Sequence, residues 1–231
     1  MSQFAPGQSH VSFGPGPMTP AVQAIVIANI VVFVIMMVAR TLVIDLFGLT
    51  PEAVLTQGRV WQPVTYLFLH ADVFHILFNM LSVWMFGVDL ERRWGTQSFV
   101  RYYAVTGVGA GICSLLVSLL PFGGDSYYIP TIGASGAVYG LLMAWGIIFP
   151  HRTILFLGIF PLTARVFVLI MGAIAFTQAL GQGGGSTVSH VAHLGGMVAG
   201  YWYLKTPVRR PPQKRPGPPK PPNPAQLRRV H

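Results

Sequence analysis

Two side chains that could act together as a nucleophile and its base lie in separate apolar segments of the sequence. Ser135 stands at the start of the apolar run 135–149, and His193 lies within the apolar run 188–204. Polar and ionisable groups are costly to place in lipid, and at membrane depth they usually face a bundle interior or water and mark function. If the two segments lie side by side, Ser135 is a candidate nucleophile and His193 its candidate general base. The sequence therefore predicts chemistry carried out inside a membrane.

Small and aromatic residues around Ser135 support a close approach of the two segments. Gly133 and Gly136 flank Ser135 and permit another backbone to come near. Tyr139 lies one helical turn after Ser135 on the same face, where its ring could stack on the imidazole of His193. Taken alone, these small residues are more typical of a helix-packing motif than of a catalytic one, so the prediction depends on the partner segment.

An oxyanion formed during such chemistry would need hydrogen-bond donors. His75 and Asn79 are four residues apart in the apolar run 73–90, which places them on one helical face, and both are candidate donors. The helix that starts at Ser135 offers unpaired N–H groups and a positive dipole end as well.

The acidic residues are badly placed to orient His193. Asp125 lies in a predicted loop, while Asp89 and Glu91 lie toward the opposite end of their predicted span. We therefore expect a Ser–His dyad and not a triad.

Histidines on the predicted outer side raise the alternative of a metal site. No carboxylate or cysteine accompanies them at a familiar ligand spacing, so we expect neither a metal nor a cofactor. The histidines are His70, His75, His190 and His193.

Composition indicates the class of protein. The chain has 231 residues, of which 52% are hydrophobic and only 9% charged, whereas soluble domains carry about 25% charged residues. The predicted fold class is an all-α polytopic membrane protein, with an interfacial loop of short helices at 40–72 between the first two spans. The six predicted spans are 21–39, 73–90, 102–120, 135–149, 165–180 and 188–204.

Charge distribution predicts the orientation and the domain limits. Eight of the fifteen Lys and Arg residues lie between Lys205 and Arg229, so the positive-inside rule places both termini in the cytoplasm of a cell, with a bacterial inner membrane expected. Residues 1–20 are predicted to be a disordered lead, 21–205 the helical domain, and 206–231 a disordered, basic, proline-rich tail. This tail next to a span indicates binding to anionic lipid and argues against nucleic acid as a partner.

The run 135–149 is short for a span. Its fifteen residues make a helix of about 22 Å, against roughly 30 Å of hydrocarbon. If its far end is anchored at the cytoplasmic face, Ser135 is recessed below the outer surface, where non-helical backbone is tolerated only when it lines protein or water.

At these residues the chain resembles the rhomboid family of intramembrane serine proteases, over roughly residues 21 to 205. The resemblance implies a minimal six-helix form of bacterial type. The motifs that carry it are His70, His75-Ile76-Leu77-Phe78-Asn79, Glu91-Arg92-Arg93-Trp94-Gly95, Gly133-Ala134-Ser135-Gly136 with Tyr139, and Ala192-His193-Leu194-Gly195-Gly196.

The resemblance also implies roles for individual residues. Ser135 would be the nucleophile and His193 the base, with the oxyanion held by the Ser135 N–H, His75 and Asn79. Glu91 and Arg93 would be structural and tie the second span to the interfacial loop. The implied substrates are single-span membrane proteins cut in helix-destabilised segments, reached through a gate formed by the fifth span and the loop 181–187.

Two functions of other classes stay open at this stage. One is a rhomboid-like protein that binds and escorts membrane clients without cleaving them, although such proteins typically lack the serine or the histidine. The other is a small channel or transporter that uses the histidines as a proton path, although no inverted repeat is visible in the sequence.

Overall fold

A computed structural model describes residues 14–120, 124–156, 159–180 and 184–206 of the chain. The helices and strands are α1 (Pro20–Phe47), α2 (Pro51–Thr56), α3 (Gln62–Thr65), a 3₁₀ helix (Tyr66–Phe68), α4 (Val73–Trp94), α5 (Thr96–Ser118), a second 3₁₀ helix (Gly124–Tyr127), α6 (Ser135–Ile148), β1 (Thr153–Phe156), β2 (Phe160–Thr163), α7 (Ala164–Leu180) and α8 (Gly184–Lys205).

A helix covers all or nearly all of each of the six apolar runs, and the fold is mostly helical as predicted. Within the described residues, α1, α4 and α5 are long and apolar enough to cross a membrane, while α6 and α7 are shorter apolar helices. The count of six spans stays a prediction.

Several helix ends differ from the predicted spans, and the two largest differences are in α1 and α5. α1 continues past residue 39 to Phe47, but Ala39 has non-helical angles (φ −126°, ψ 39°), so the predicted end coincides with a kink. α5 begins at Thr96 and not at residue 102, because Gly95 at φ 81° turns the chain directly from α4 into α5. Arg101 therefore lies inside a helix.

The segment between the fourth and fifth predicted spans contains a β-hairpin. β1 and β2 pair antiparallel, with Thr153 opposite Thr163 and Phe156 opposite Phe160. These strands are a small departure from the all-α class. The β-branched and aromatic side chains of this stretch favour extended pairing, which explains the outcome.

α6 lies at the centre of the bundle and contacts α4, α5, α7 and α8. Its closest approach is to α8, since a Cβ on Gly196 would lie 1.9 Å from the carbonyl oxygen of Gly136. Gly140, one turn after Gly136, instead faces Thr106 of α5, where a Cβ would lie 2.4 Å from the Thr106 Cβ. The backbones of α6 and α8 thus touch only a few residues from Ser135 and His193.

The interfacial loop folds back onto the helices. The hydroxyl of Tyr66, a residue with 1% exposure, donates to the carbonyl of Gly107 in α5 at 2.7 Å. Leu49 and Thr131 form an isolated antiparallel bridge that joins the loop to the segment just before α6. The loop therefore supports the start of α6.

The segment Gly14–Thr19 lies against α4, although its composition predicts disorder up to residue 20. The indole N–H of Trp84 donates to the carbonyl of Gly16 at 2.9 Å, and the Arg92 guanidinium donates to that of Pro15 at 2.6 Å. Side chains of α4 thus provide the donors that hold this segment. The segments 1–13 and 207–231, for which the sequence predicts disorder, lie outside the described residues.

The resemblance implies that Glu91 ties the second span to the interfacial loop, but in the structure its hydrogen-bond partners lie elsewhere. Its carboxylate accepts hydrogen bonds from the backbone N–H groups of Ala21 at 3.0 Å and Val22 at 3.1 Å, and from the hydroxyls of Thr19 and Thr96. The physical reason is position, because Glu91 lies near the end of α4, whereas the interfacial loop leads into its start. Glu91 instead caps the first turn of α1.

Arg93 also lies away from the interfacial loop. Its guanidinium carbon is 5.8 Å from the ring centroid of Phe149, at the end of α6. This cation–π contact joins the end of α4 to the end of α6. The structural role expected of Arg93 therefore involves a different partner from the one implied by the resemblance.

Candidate active site

The Oγ of Ser135 and the Nε2 of His193 lie 2.8 Å apart, within hydrogen-bond distance. Ser135 is the first residue of α6 and His193 lies in the middle of α8. The close contact between Gly136 and Gly196 brings the two helices near enough for these side chains to meet. The arrangement gives a hydroxyl a neighbouring base, as a serine nucleophile requires.

Tyr139 lies flat against the imidazole of His193. The ring centroids are 4.3 Å apart and the planes differ by 6°. His190, one turn before His193, contacts it edge-on at 5.7 Å. Within the described residues the buried Nδ1 of His193 has no hydrogen-bond partner, so ring contacts and not a carboxylate orient the imidazole.

The Nε2 of His75 lies beside Gly133, two residues before the start of α6. The backbone N–H of Ala71 donates to the Nδ1 of His75 at 3.2 Å, which leaves the proton of the neutral ring on Nε2. A Cβ on Gly133 would lie 2.7 Å from this Nε2. The imidazole therefore offers an N–H donor immediately next to the segment that carries Ser135.

Gly133 has two reasons to be glycine. Its φ of 123° is rarely adopted by residues with a side chain, and a Cβ would collide with the ring of His75. Its N–H donates to the carbonyl of Tyr66 at 2.9 Å. The interfacial loop and α4 together set the position of Gly133, and thus of the start of α6.

The first turn of α6 adds main-chain donors. Its N-cap, Ala134, makes no side-chain capping bond, and the N–H of Val138 donates to the Ala134 carbonyl at 3.0 Å. The N–H groups before Val138 therefore have no partner within the helix. Such a helix start attracts negative charge, as on a developing oxyanion.

Asn79 lies one turn after His75 on α4 and is 6% exposed. One hydrogen of its amide is donated to the carbonyl of His75 at 2.8 Å. The amide nitrogen carries two hydrogens, so this bond leaves the second one for another acceptor. Asn79 is thus held on the same face of α4 as His75.

His70 lies behind His75 and is fully buried. The two rings meet edge-on with centroids 4.9 Å apart. Burial, with a smaller contribution from His75, lowers the pKa of His70 to about 4. His70 is therefore neutral near pH 7 and does not place a positive charge beside the site.

The alternative of a metal site can be compared with the side-chain positions in the part of the chain that the structure describes. There, no group of three or more His, Cys, Asp or Glu side chains is arranged to hold an ion.

Two groups that contribute to the site, the Tyr66 carbonyl and the Ala71 N–H, could not be predicted from the sequence. Both are main-chain groups, which any residue type can supply, so no residue pattern marks them. The large, fully buried ring of Tyr66 in a loop is a weak signal that could have drawn attention to that position.

Comparison with known proteins identifies what the chain is similar to. The family model of the Rhomboid domain matches residues 57–210, which is more than half of the chain. This match contains every site residue described above.

Three relatives illustrate the similarity. The mitochondrial Rhomboid protein 1 of Saccharomyces cerevisiae is 31% identical over 155 residues, covering 64% of this chain and 43% of that protein. The Rhomboid protease GluP of Bacillus subtilis is 28% identical over 156 residues, covering 68% and 28%. The Rhomboid-like protease 1 of Toxoplasma gondii is 30% identical over 164 residues, covering 67% and 50%. The chain thus spans half or less of the length of these relatives.

Proposed function

Since this chain belongs to the rhomboid family and is a multi-pass membrane protein, we propose that it is a serine endopeptidase that cleaves membrane proteins within the bilayer. Two of its relatives are named as proteases, which supports the proposal. The observation that carries it is the 2.8 Å contact between the Ser135 Oγ and the His193 Nε2.

The proposed chemistry follows from this contact. The Ser135 Oγ attacks the scissile carbonyl carbon while its proton passes to the Nε2 of His193. The resulting imidazolium then gives the proton to the leaving amine. Water, activated by His193 in the same way, hydrolyses the acyl-enzyme and regenerates the serine. Tyr139 keeps the imidazole in the plane that both proton transfers need.

The negative oxygen of the tetrahedral intermediate is proposed to lie between α6 and α4. The donors are the backbone N–H of Ser135, the Nε2–H of His75 and the free amide hydrogen of Asn79. The tautomer of His75 supports this role, because the Ala71 N–H occupies Nδ1 and leaves Nε2 as the donor. These donors are aligned when the protein folds, so no further free energy is needed to align them during the reaction.

The proposed substrates are single-span membrane proteins with a helix-destabilised segment. The 14 residues of α6 form a helix of about 21 Å, shorter than the hydrocarbon layer, which supports a recessed serine. α7 is the proposed gate. Only Ala164, Val168 and Ala175 are buried among its 17 residues, so few contacts hold it in place. Of the segment 181–187 that the sequence predicted as a loop beside it, residues 184–187 belong to α8 and residues 181–183 lie outside the described residues.

The proposed location is a cell membrane of bacterial type with both termini in the cytoplasm. The basic tail beyond Lys205 is proposed to lie near anionic lipid on that side. Relatives named as mitochondrial make a mitochondrial membrane the alternative location.

The test is cleavage in proteoliposomes of a single-span substrate with a helix-destabilised segment. Ser135→Ala should abolish cleavage, while Ser82→Ala, which removes a hydroxyl bonded only to its own helix, is the matched control and should retain it. A serine-directed fluorophosphonate should label the wild type and Ser82→Ala but neither Ser135→Ala nor His193→Ala. Cleavage that survives Ser135→Ala would overturn the proposal, and client binding without any labelling would favour the escort function.

A further inference from the structure

A large apolar cleft lies between α6, α7 and α8, lined on α6 by the half that follows the catalytic end. Its volume is about 820 Å³, within the range of sites that hold small molecules. Several of its lining side chains are exposed at the surface, including Ile147 at 46%, Leu169 at 65% and Val198 at 55%. The cleft is therefore open on its side, toward the surrounding lipid.

One end of the cleft carries a positive charge. Arg165, in the first turn of α7, lines the cleft, and its backbone N–H donates to the carbonyl of Pro150 at the end of α6. Tyr201 and Trp202 line the cleft from α8, and the Nζ of Lys205 lies 5.6 Å from the Tyr201 ring centroid. Two cations and two amphipathic rings thus meet at this end, as at a membrane–water interface.

The protein provides no counter-charge for Arg165 among its described residues. The nearby Arg152 pairs with Asp89, which also accepts from the Trp145 indole. Glu91 is occupied by the first turn of α1. The whole chain has six acidic residues against fifteen Lys and Arg, so Arg165 is available to pair with an anion from outside the protein.

We propose that the cleft between α6, α7 and α8 binds one anionic phospholipid, with its acyl chain among the apolar side chains and its phosphate on Arg165. A cation at the end of an apolar cleft matches a molecule with one anionic end and a long apolar chain. Basic pockets between helices on the cytoplasmic side are where anionic headgroups bind. A guanidinium can also bind phosphate through two parallel hydrogen bonds. The site is separate from Ser135 and His193, and the proposal does not depend on proteolysis.

Native mass spectrometry of the full chain, released from detergent after mixing with phosphatidylglycerol or phosphatidylcholine, tests the headgroup. The wild type should retain one phosphatidylglycerol in preference to phosphatidylcholine. Arg165→Gln should lower this retention about fivefold to tenfold, while Arg165→Lys should restore most of it. Arg101→Gln is the matched control, because Arg101 is an exposed arginine of α5 outside the cleft, and it should behave as the wild type.

The acyl-chain part of the site needs a second pair of variants. Ala173→Phe fills the cleft without touching Arg165 and should also lower retention of phosphatidylglycerol. Ala104→Phe adds the same ring at an exposed position of α5 and should leave retention unchanged. Dibrominated phosphatidylglycerol should quench the fluorescence of Trp202, and this quenching should fall in Ala173→Phe. The fluorescence of the Trp202→Phe variant is subtracted to remove the signal of the other tryptophans.

Three results would overturn the proposal. One is equal retention of the anionic and the zwitterionic lipid by the wild type. A second is a loss in Arg101→Gln as large as in Arg165→Gln, which would indicate diffuse charge attraction. The third is a mass spectrum in which the wild type retains a second copy of the chain in place of the lipid, with this dimer lost in Ala173→Phe.

Discussion

At the scale of single residues, the orientation of His193 depends on its neighbours' rings. In a triad a carboxylate would hold the imidazole. Here Tyr139 stacks on one face at 4.3 Å, and His190 touches the ring edge-on. A stacked ring restricts the plane of the imidazole but adds no charge, so it positions the base without changing the charge of the site.

Replacing Tyr139 separates stacking from the hydroxyl. Tyr139→Phe keeps the ring and should retain nearly full kcat, whereas Tyr139→Leu should lower kcat about threefold to tenfold, the value of an aromatic contact. KM should change little, because Tyr139 does not lie on the proposed substrate path. Equal kcat in the two variants, with unchanged thermal unfolding, would show that the ring does not position His193.

At the scale of elements, the carboxylate of Glu91 in α4 binds the first turn of α1, and we call this contact the Glu91 clasp. Glu91 is 3% exposed and satisfies two N–H groups at the start of α1 that no residue of α1 can reach. The two helices are consequently joined by a charge and not only by apolar packing.

Glu91→Ala should lower the free energy of unfolding in detergent by about 2 kcal/mol, because two buried N–H groups lose their acceptor. Glu91→Gln keeps one acceptor oxygen and should lose about half as much. Glu52→Ala is the control, since Glu52 bonds only within its own short helix and the next residue. Thermal unfolding of the purified chain measures all three, and an Ala variant as stable as the control would contradict the role of the clasp.

Long apolar runs made the helices predictable from the sequence, whereas the short segments between them were not. The run 21–39 predicts a helix but not its continuation past the kink at Ala39, because the polar residues that follow indicate a loop equally well. The strands at Thr153–Phe156 and Phe160–Thr163 are four residues each, too short for a period to be recognised.

The candidate site was also only partly predictable from the sequence. The side chains Ser135, His193, His75 and Asn79 could be proposed from residue type and spacing. The partners that hold them could not, because the Tyr66 carbonyl, the Ala71 N–H and the Glu91 clasp connect positions distant in sequence or use main-chain atoms. Such contacts follow from the packing of whole helices and leave no local pattern.

At the scale of the whole molecule, charge is concentrated at one end of the bundle. Arg92, Arg93, Arg152, Arg165 and Lys205 lie at the ends of helices that meet there. The proposed cytoplasmic position of this end depends on this distribution, through the positive-inside rule.

Cysteine accessibility in intact bacteria checks this orientation. Cys113 is the only cysteine, so Cys113→Ser gives a background without thiols. In that background a membrane-impermeant maleimide should label Gln57→Cys in intact cells and His151→Cys only in inverted vesicles. Both positions are exposed, which makes them a matched pair. The reverse pattern would place the serine end of α6 in the cytoplasm.

The Glu91 clasp also determines when α1 is completed during synthesis of the chain, which proceeds from the N-terminus. Ala21 and Val22 precede Glu91 by 70 and 69 residues, so at about 5–20 residues per second the first helix waits several seconds for its cap. During that interval its first N–H groups have only water or lipid headgroups as partners. The first helix therefore becomes a finished structural unit only after α4 has been synthesised to its end, and the two helices mature as a pair.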